Sequence, residues 1–361
     1  MIKIDLQPIF NEITTPNSAL NLRFSQVVWD EYVTARRINA FHDMQTGIKC
    51  NAKIPLGDKG NTYAFMKDKS GLTSQCDFNQ CDITTEFSTK TWDTNEYNCE
   101  VTICKKDLEC DFLDWWNETG CSEVDDLNDK FIQFLVEWMR DAIINSHWTK
   151  VWFAFESSTD ESLKGTDGLF TQYLGYAPDG DSKRIVIPEN AKTTYGDQDN
   201  LDPNRGFEVY SAMYSKMLKN RVLRNKRGNL MIMTTEDLAI NYQEYLRTHN
   251  QVNCCYKQDV TTEVYALDSL NIYGIPIKIV YEWDDIIRGG EFSELDNGTK
   301  WDNPHRAVLS WKANQPVGTC NATHLDEVVL LYDQITRKMH IRSEYEIGSK
   351  VLLDKQFVLA I

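Results

Sequence analysis

Six basic side chains crowd into residues 216–227: Lys216, Lys219, Arg221, Arg224, Lys226 and Arg227, with no acid among them. The whole chain carries 54 acidic and 38 basic side chains, a net charge of −16. A cationic cluster in so acidic a protein should seek an acidic partner, because its field is attractive against a repulsive background. Nucleic acid and the acidic surface of a neighbouring subunit are the two candidates. The plainest alternative is a solvated helix end whose cations complement the helix dipole.

Acidic groups offer two further constellations. Asp197, Asp199, Asp202 and Glu208 have some of the spacing of a calcium loop, with Asp197 at position 1 and Glu208 at position 12. Leu201 then falls where a ligand is needed and Asp202 where the turn needs Gly, so the register is poor. Trp283-Asp284-Asp285 and Trp301-Asp302 place aromatics beside carboxylates. A glycoside hydrolase would need two such acids facing each other across a cleft.

Other chemistry is not signalled. The chain contains no GxGxxG, GxxxxGK[ST], GxSxG or HExxH motif. Its six histidines (42, 147, 249, 305, 324 and 340) have no paired spacing. Ten cysteines, seven of them from Cys50 to Cys121, lack the C-x2-C pairs of a zinc site and read as reduced structural thiols. No catalytic, cofactor-binding or metal-ligating residue is therefore assigned, and no cofactor is expected.

The elements around these residues follow from periodicity. With 361 residues and 42% apolar content the chain can bury a real core. No apolar run approaches a membrane span and the N-terminus has no signal-peptide core, so no membrane partner is expected. Residues 1–45 read as an arm with a short helix at 25–40. Residues 46–95 are polar, with turn signals at Gly57-Asp58-Lys59-Gly60 and Asp68-Lys69-Ser70-Gly71, and read as a long two-stranded excursion closed by a strand at 84–92. An isolated ribbon is marginal in water, so this one should lie on another subunit.

Val124, Leu127, Phe131, Phe134, Leu135, Trp138 and Ala142 recur at three and four residues and predict a long helix over about 122–150, capped by Ser122. Gly165-Thr166-Asp167-Gly168-Leu169-Phe170 reads as a turn into a short apolar piece, and 176–203 as loop. Further helices are predicted over 207–224 and 236–247, the latter capped by Thr234. Strands are predicted at 230–233, 264–267, 272–280, 307–311, 327–332, 338–345 and 351–361. Helices in the middle and strands at the end make an α+β pattern.

This order of pieces resembles the major capsid proteins of tailed bacteriophages, the Hong Kong 97-like fold. Residues 1–45 are similar to the family's N-terminal arm and 46–95 to its extended loop. Val101-Thr102-Ile103-Cys104-Lys105-Lys106-Asp107-Leu108-Glu109 resembles the strand entering the spine region, 122–148 the spine helix, and Gly165-Thr166-Asp167-Gly168-Leu169 the turn after it. Residues 230–247 and 272–280, with Gly274-Ile275-Pro276, are similar to pieces of the axial domain. Asn303-Pro304-His305-Arg306-Ala307-Val308 and 345–361 are similar to the family's end.

The resemblance implies a peripheral domain at 96–204 with its spine helix, an axial domain at 205–325, and return strands of the peripheral domain at 326–361. It implies a structural shell subunit, not an enzyme. Such a subunit self-assembles into hexamers and pentamers of an icosahedral head enclosing double-stranded DNA without sequence specificity. It would be made in the host cytoplasm and end in the virion. The six cations at 216–227 would then be assembly-interface residues. A portal protein is an implied partner. Little more than a hundred residues precede the spine helix, which leaves no room for a fused scaffolding domain and implies a separate scaffolding protein. Ten Trp, 16 Tyr and 15 Phe supply interface anchors. Two alternatives are an encapsulin-like compartment shell and, from a different class, a monomeric acidic glycan-binding or glycan-hydrolysing protein.

Overall fold

The structure is a computed structural model that describes residues 38–48, 52–59, 85–118, 127–249, 269–319 and 326–361. The arm helix at 25–40 lies outside these residues except for its last turn, as do the Asp68–Gly71 turn, the Ser122 cap and the strand at 264–267.

In chain order the described elements begin with α1 (Ile38–Phe41), β1 (Met44–Gln45), β2 (Lys53–Lys59), β3 (Thr85–Thr91), β4 (Asn95–Cys104), α2 (Lys105–Glu118) and α3 (Leu127–Trp148). Next come α4 (Leu169–Tyr176), β5 (Arg184–Ile185), α5 (Tyr195–Asp199), α6 (Arg205–Lys219) and α7 (Arg221–Asn225). Then follow β6 (Met231–Thr234), α8 (Glu236–Thr248), β7 (Asn271–Ile272), β8 (Ile275–Ile279), α9 (Tyr281–Arg288) and β9 (Ala307–Ser310). The chain closes with β10 (Val317–Gly318), β11 (Asp326–Asp333), β12 (Lys338–Ser349) and β13 (Val358–Ala360).

A six-stranded sheet in the order β5-β13-β9-β6-β8-β7 forms the centre of one half. Its inner strands β13, β9 and β6 are buried on both faces, and the alternation of side chains explains how. Ile232, Ala307, Leu309, Val358 and Ala360 turn to a core with Val209, Tyr210 and Met213 of α6 and Leu238 and Tyr242 of α8. Met231, Met233, Val308 and Leu359 turn to the opposite core, with Trp148, Trp152, Phe170, Tyr173 and Trp283. The second sheet is long. β12 lies between β4 and β11, antiparallel to both, and at its far end takes up β10, which carries β1.

Helix α3 continues into one π-helical turn, Thr149–Phe153, all five residues of it buried. The wider turn swings Trp152 into the core, where its ring meets Trp283 at 4.6 Å and Phe170 at 4.9 Å. Beneath α3, Phe112 of α2 packs edge-on against Phe131 at 5.4 Å and Phe134 at 5.5 Å.

Several sequence expectations need correction. Gly57-Asp58-Lys59 is not a turn: it continues β2, which pairs along its length with β3. Lys105-Lys106-Asp107-Leu108-Glu109 leaves the strand and opens the 14-residue helix α2. The loop expected at 176–203 contains β5, a 3-10 turn at Pro188–Ala191 and α5.

The helix expected over 207–224 is two helices broken at Asn220. Thr234 ends β6 and its hydroxyl meets Tyr210 at 3.0 Å, so Thr235 takes the N-cap position of α8. The strand expected over 272–280 is a hairpin, turned at Tyr273 and Gly274 with φ of 49° and 82°. Residues 281–288 form α9, which alternating strand residues did not announce. Of 351–361, Val358–Ala360 is strand, and it pairs with β9 and β5 in the six-stranded sheet rather than beside β12. A turn at 296–299 is bridged by Asp296 and Trp301.

Candidate functional site: a basic groove and an ionic cluster

The break at Asn220 shapes the basic run. Its backbone is extended, and its side-chain oxygen accepts from the amides of Val222 and Leu223, capping α7. Its amide nitrogen donates to the Lys355 carbonyl at 2.9 Å, which fastens the break to the C-terminal segment. Lys216 and Lys219 thereby leave the last turn of α6 beside Arg221, along a groove of about 570 Å³. Lys183 and Lys355 complete the same groove, over a floor that includes Leu223 and Phe357. Lys216 donates to the Ser182 carbonyl at 2.5 Å, and Lys183 reaches Asp181 at 3.8 Å.

The structure thus divides the six predicted cations. Lys216, Lys219 and Arg221 line the groove. Arg227 donates to the Tyr273 carbonyl and covers the Tyr214 ring at 5.4 Å, so it pins the β7–β8 turn. Arg224 and Lys226 are exposed and do not line it. Lys183 and Lys355 were missed. They arrive from the approach to β5 and from the turn before β13, and no local pattern links them to residue 216.

The acidic constellations resolve differently. Asp202 and Glu208 both bind Arg205 at 2.6 Å, and Glu189 binds it at 2.9 Å. Asp199 pairs with Arg288 at 2.5 Å and Asp197 hydrogen-bonds Thr194. No group of three or more potential ligands is poised for a metal among the described residues. Trp283 is fully buried in the core, so it offers no platform to a sugar.

Asp284 belongs to a partly buried ionic cluster at the ends of β6, β8 and β9, built around the fully buried His305. Arg288 donates to Asp237 at 2.7 Å and lies 3.8 Å from Asp284 while its guanidinium covers Trp301 at 4.7 Å. Asp237 Oδ2 also meets Nδ1 of His305, whose Nε2 faces the Gln198 carbonyl at 2.8 Å. Both ring nitrogens therefore face acceptors, and only an imidazolium can donate to both. Burial alone would lower the His305 pKa; the contact with Asp237 outweighs it and raises it. Burial, and then the Asp237 charge, push Asp284 up to about 7. The cluster clasps α5, α8, α9 and the approach to β9.

A second surface cleft, about 720 Å³, sits at the root of the β2–β3 hairpin. Three of its polar side chains are engaged: Lys350 binds Asp93 at 2.5 Å, and Gln172 donates to the Ser349 carbonyl and accepts from the Val351 amide. Nearby, Lys150 Nζ donates to the carbonyls of Glu161 and Lys164 and lies 4.5 Å from the Tyr97 ring; burial lowers its pKa to about 8. Cys104 and Cys110 are exposed free thiols. No helix of the described residues is long and apolar enough to cross a membrane.

No family model and no curated protein matches the chain. Solved structures do match. A chain from Gordonia phage Cozz shares 11% identity, covering 90% of this chain and 85% of that one, with a TM-score of 0.50. A chain from Mycobacterium phage Ogopogo shares 11% identity over 90% and 91%, with a TM-score of 0.49. One described as "Satellite phage P4 procapsid including size determination (Sid) protein" shares 10% identity over 93% and 98%, with a TM-score of 0.47. At these identities what is shared is the fold: a mixed helix-and-sheet fold found in phage capsid structures.

Proposed function

We propose that this protein is a structural shell subunit of Hong Kong 97 type, building the head of a tailed phage. The observation that carries this reading is the fold shared with the Gordonia phage Cozz chain over nine-tenths of the sequence. In this reading β4, β12, β11 and α3 form the peripheral domain, and the six-stranded sheet with α6 and α8 the axial domain. The β2–β3 hairpin is the extended loop. It forms a sheet of its own, and a lone two-stranded ribbon gains stability by lying on a neighbouring copy.

The partners follow from the same reading. Copies of the chain form hexamers and pentamers, a separate scaffolding protein and a portal direct their closure, and double-stranded DNA fills the head without sequence contacts. An acidic wall suits that last role, because it repels the DNA backbone and lets it slide. The protein is then made in the host cytoplasm and resides in the virion.

Size-exclusion chromatography followed by electron microscopy of the purified chain, with and without its scaffold, tests this. Rings or closed shells are expected. A monomer at every protein concentration and salt, with scaffold present, would overturn the reading.

A further inference from the structure

Helix α6 is charged oppositely at its two ends. At its N-terminal end Asp199, Asp202 and Glu208 stand out into solvent, their side chains 49%, 71% and 58% exposed. The cations they pair with are more covered: Arg205, under Asp202 and Glu208, is 16% exposed, and Arg288, beside Asp199, is 25% exposed. At its C-terminal end lie Lys216, Lys219 and Arg221 in the groove with Lys183 and Lys355. Fifteen residues separate the ends by about 22 Å. Glu208, Ala212, Ser215 and Lys219 fall at helical spacing along one stripe, so the acidic corner, two small residues and the basic groove share one side of α6.

We infer that the acidic corner of one copy seats in the basic groove of the next, making a charge-matched, head-to-tail contact within a ring of subunits. This inference rests on the shell-subunit reading and names the contact within it. A contact that joins two different patches of the same chain is heterologous, and heterologous contacts close into rings when the rotation allows. Two basic grooves brought face to face would repel. The small side chains of Ala212 and Ser215 let the neighbour approach between the two ends.

A charge-swap series tests the contact. The reversed-groove variant (K219E/R221E) and the reversed-corner variant (D202K/E208K) should each raise the concentration for half-assembly at least about tenfold, because like charges then face each other. The quadruple variant carrying both sets should recover assembly, since attraction is restored with its sign inverted. Far-UV circular dichroism and thermal melts confirm that each variant folds. If D202K/E208K does not fold, D202N/E208Q replaces it and should weaken assembly and its salt dependence together.

Wild-type rings with no rescue in the quadruple variant would overturn the pairing while leaving the shell reading intact. Wild type that never passes the monomer would overturn the shell reading itself. Wild type that stops at a two-fold dimer would overturn the head-to-tail contact. Normal assembly by K219E/R221E with loss of bound DNA would assign the groove to DNA and overturn the inference.

Discussion

Nε1 of Trp152 donates to Nε2 of His42 across 3.2 Å, while Nδ1 of the same imidazole donates to the Gln315 carbonyl at 2.8 Å. One nitrogen accepts and the other donates, so His42 is bound as the neutral ring. His305 is its opposite: both of its nitrogens face acceptors and it is held charged. The first imidazole ties the segment after the arm to the π-turn; the second ties the ends of the six-stranded sheet.

Burial lowers the His42 pKa to about 4, from an ordinary 6.5. The folded state then binds fewer protons than the unfolded one between those values, so stability falls as pH drops from about 6.5 to about 4. A loss on the order of 2–3 kcal/mol is expected. Thermal melts across this range should show it, and H42N, which cannot take up a proton, should flatten the His42 part of the slope. An unchanged slope in H42N would remove His42 as its source.

Asp284 works in the other direction. Its folded pKa, about 7, lies above the unfolded 3.8, so the folded state holds an extra proton between them. Stability contributed by neutral Asp284 is present at pH 4 and lost as pH rises toward 7. D284N should therefore raise stability at pH 8 by about 1–2 kcal/mol, after discounting for partial solvent screening. The asparagine oxygen can still accept from the Glu236 amide, as Asp284 does at 2.8 Å. A lower melting midpoint for D284N at pH 8 would show that the Arg288 attraction dominates instead.

Gly206 lets α6 and α8 touch. A Cβ there would stand 2.6 Å from the Leu238 carbonyl oxygen and 2.8 Å from the Tyr242 amide nitrogen. Because both obstacles are backbone, G206A must push the helices apart, at a cost of about 1–3 kcal/mol. Denaturant unfolding measures this. A G206A variant as stable as wild type would mean that the helices separate freely.

The β2–β3 hairpin should be removable above its root. Lys90 donates to the Val351 carbonyl at 2.8 Å and to the Tyr176 hydroxyl at 3.2 Å, and Trp92 is buried, so these two residues must stay. Lys53 pairs with Thr91, which leaves ends close enough to join with a short Gly-Ser linker. Replacing residues 54–89 in this way should preserve cooperative melting while preventing stable shells. Loss of cooperative melting would show that the hairpin supports its own subunit.

Elements with local signals were readable from residue order alone. The apolar stripe through Phe131, Phe134 and Leu135 specified α3, and period-two alternation specified the strands around Val101 and Ile341, though not their pairing. The extended ribbon and the cationic run were also legible, because strand alternation and charge clustering are properties of neighbours in the chain.

Tertiary structure decided what depends on distant partners. Asn220 breaks a helix that periodicity would continue, because its side chain can cap α7 and reach Lys355 at once. Tyr273 and Gly274 turn a run of strand residues into a hairpin. The basic groove needs Lys183 and Lys355 beside Lys216, and the ionic cluster needs Asp237, Asp284, Arg288 and His305 at the ends of three strands. Residues separated by tens to more than a hundred positions meet only when the sheets close, and no spacing along the chain encodes that meeting.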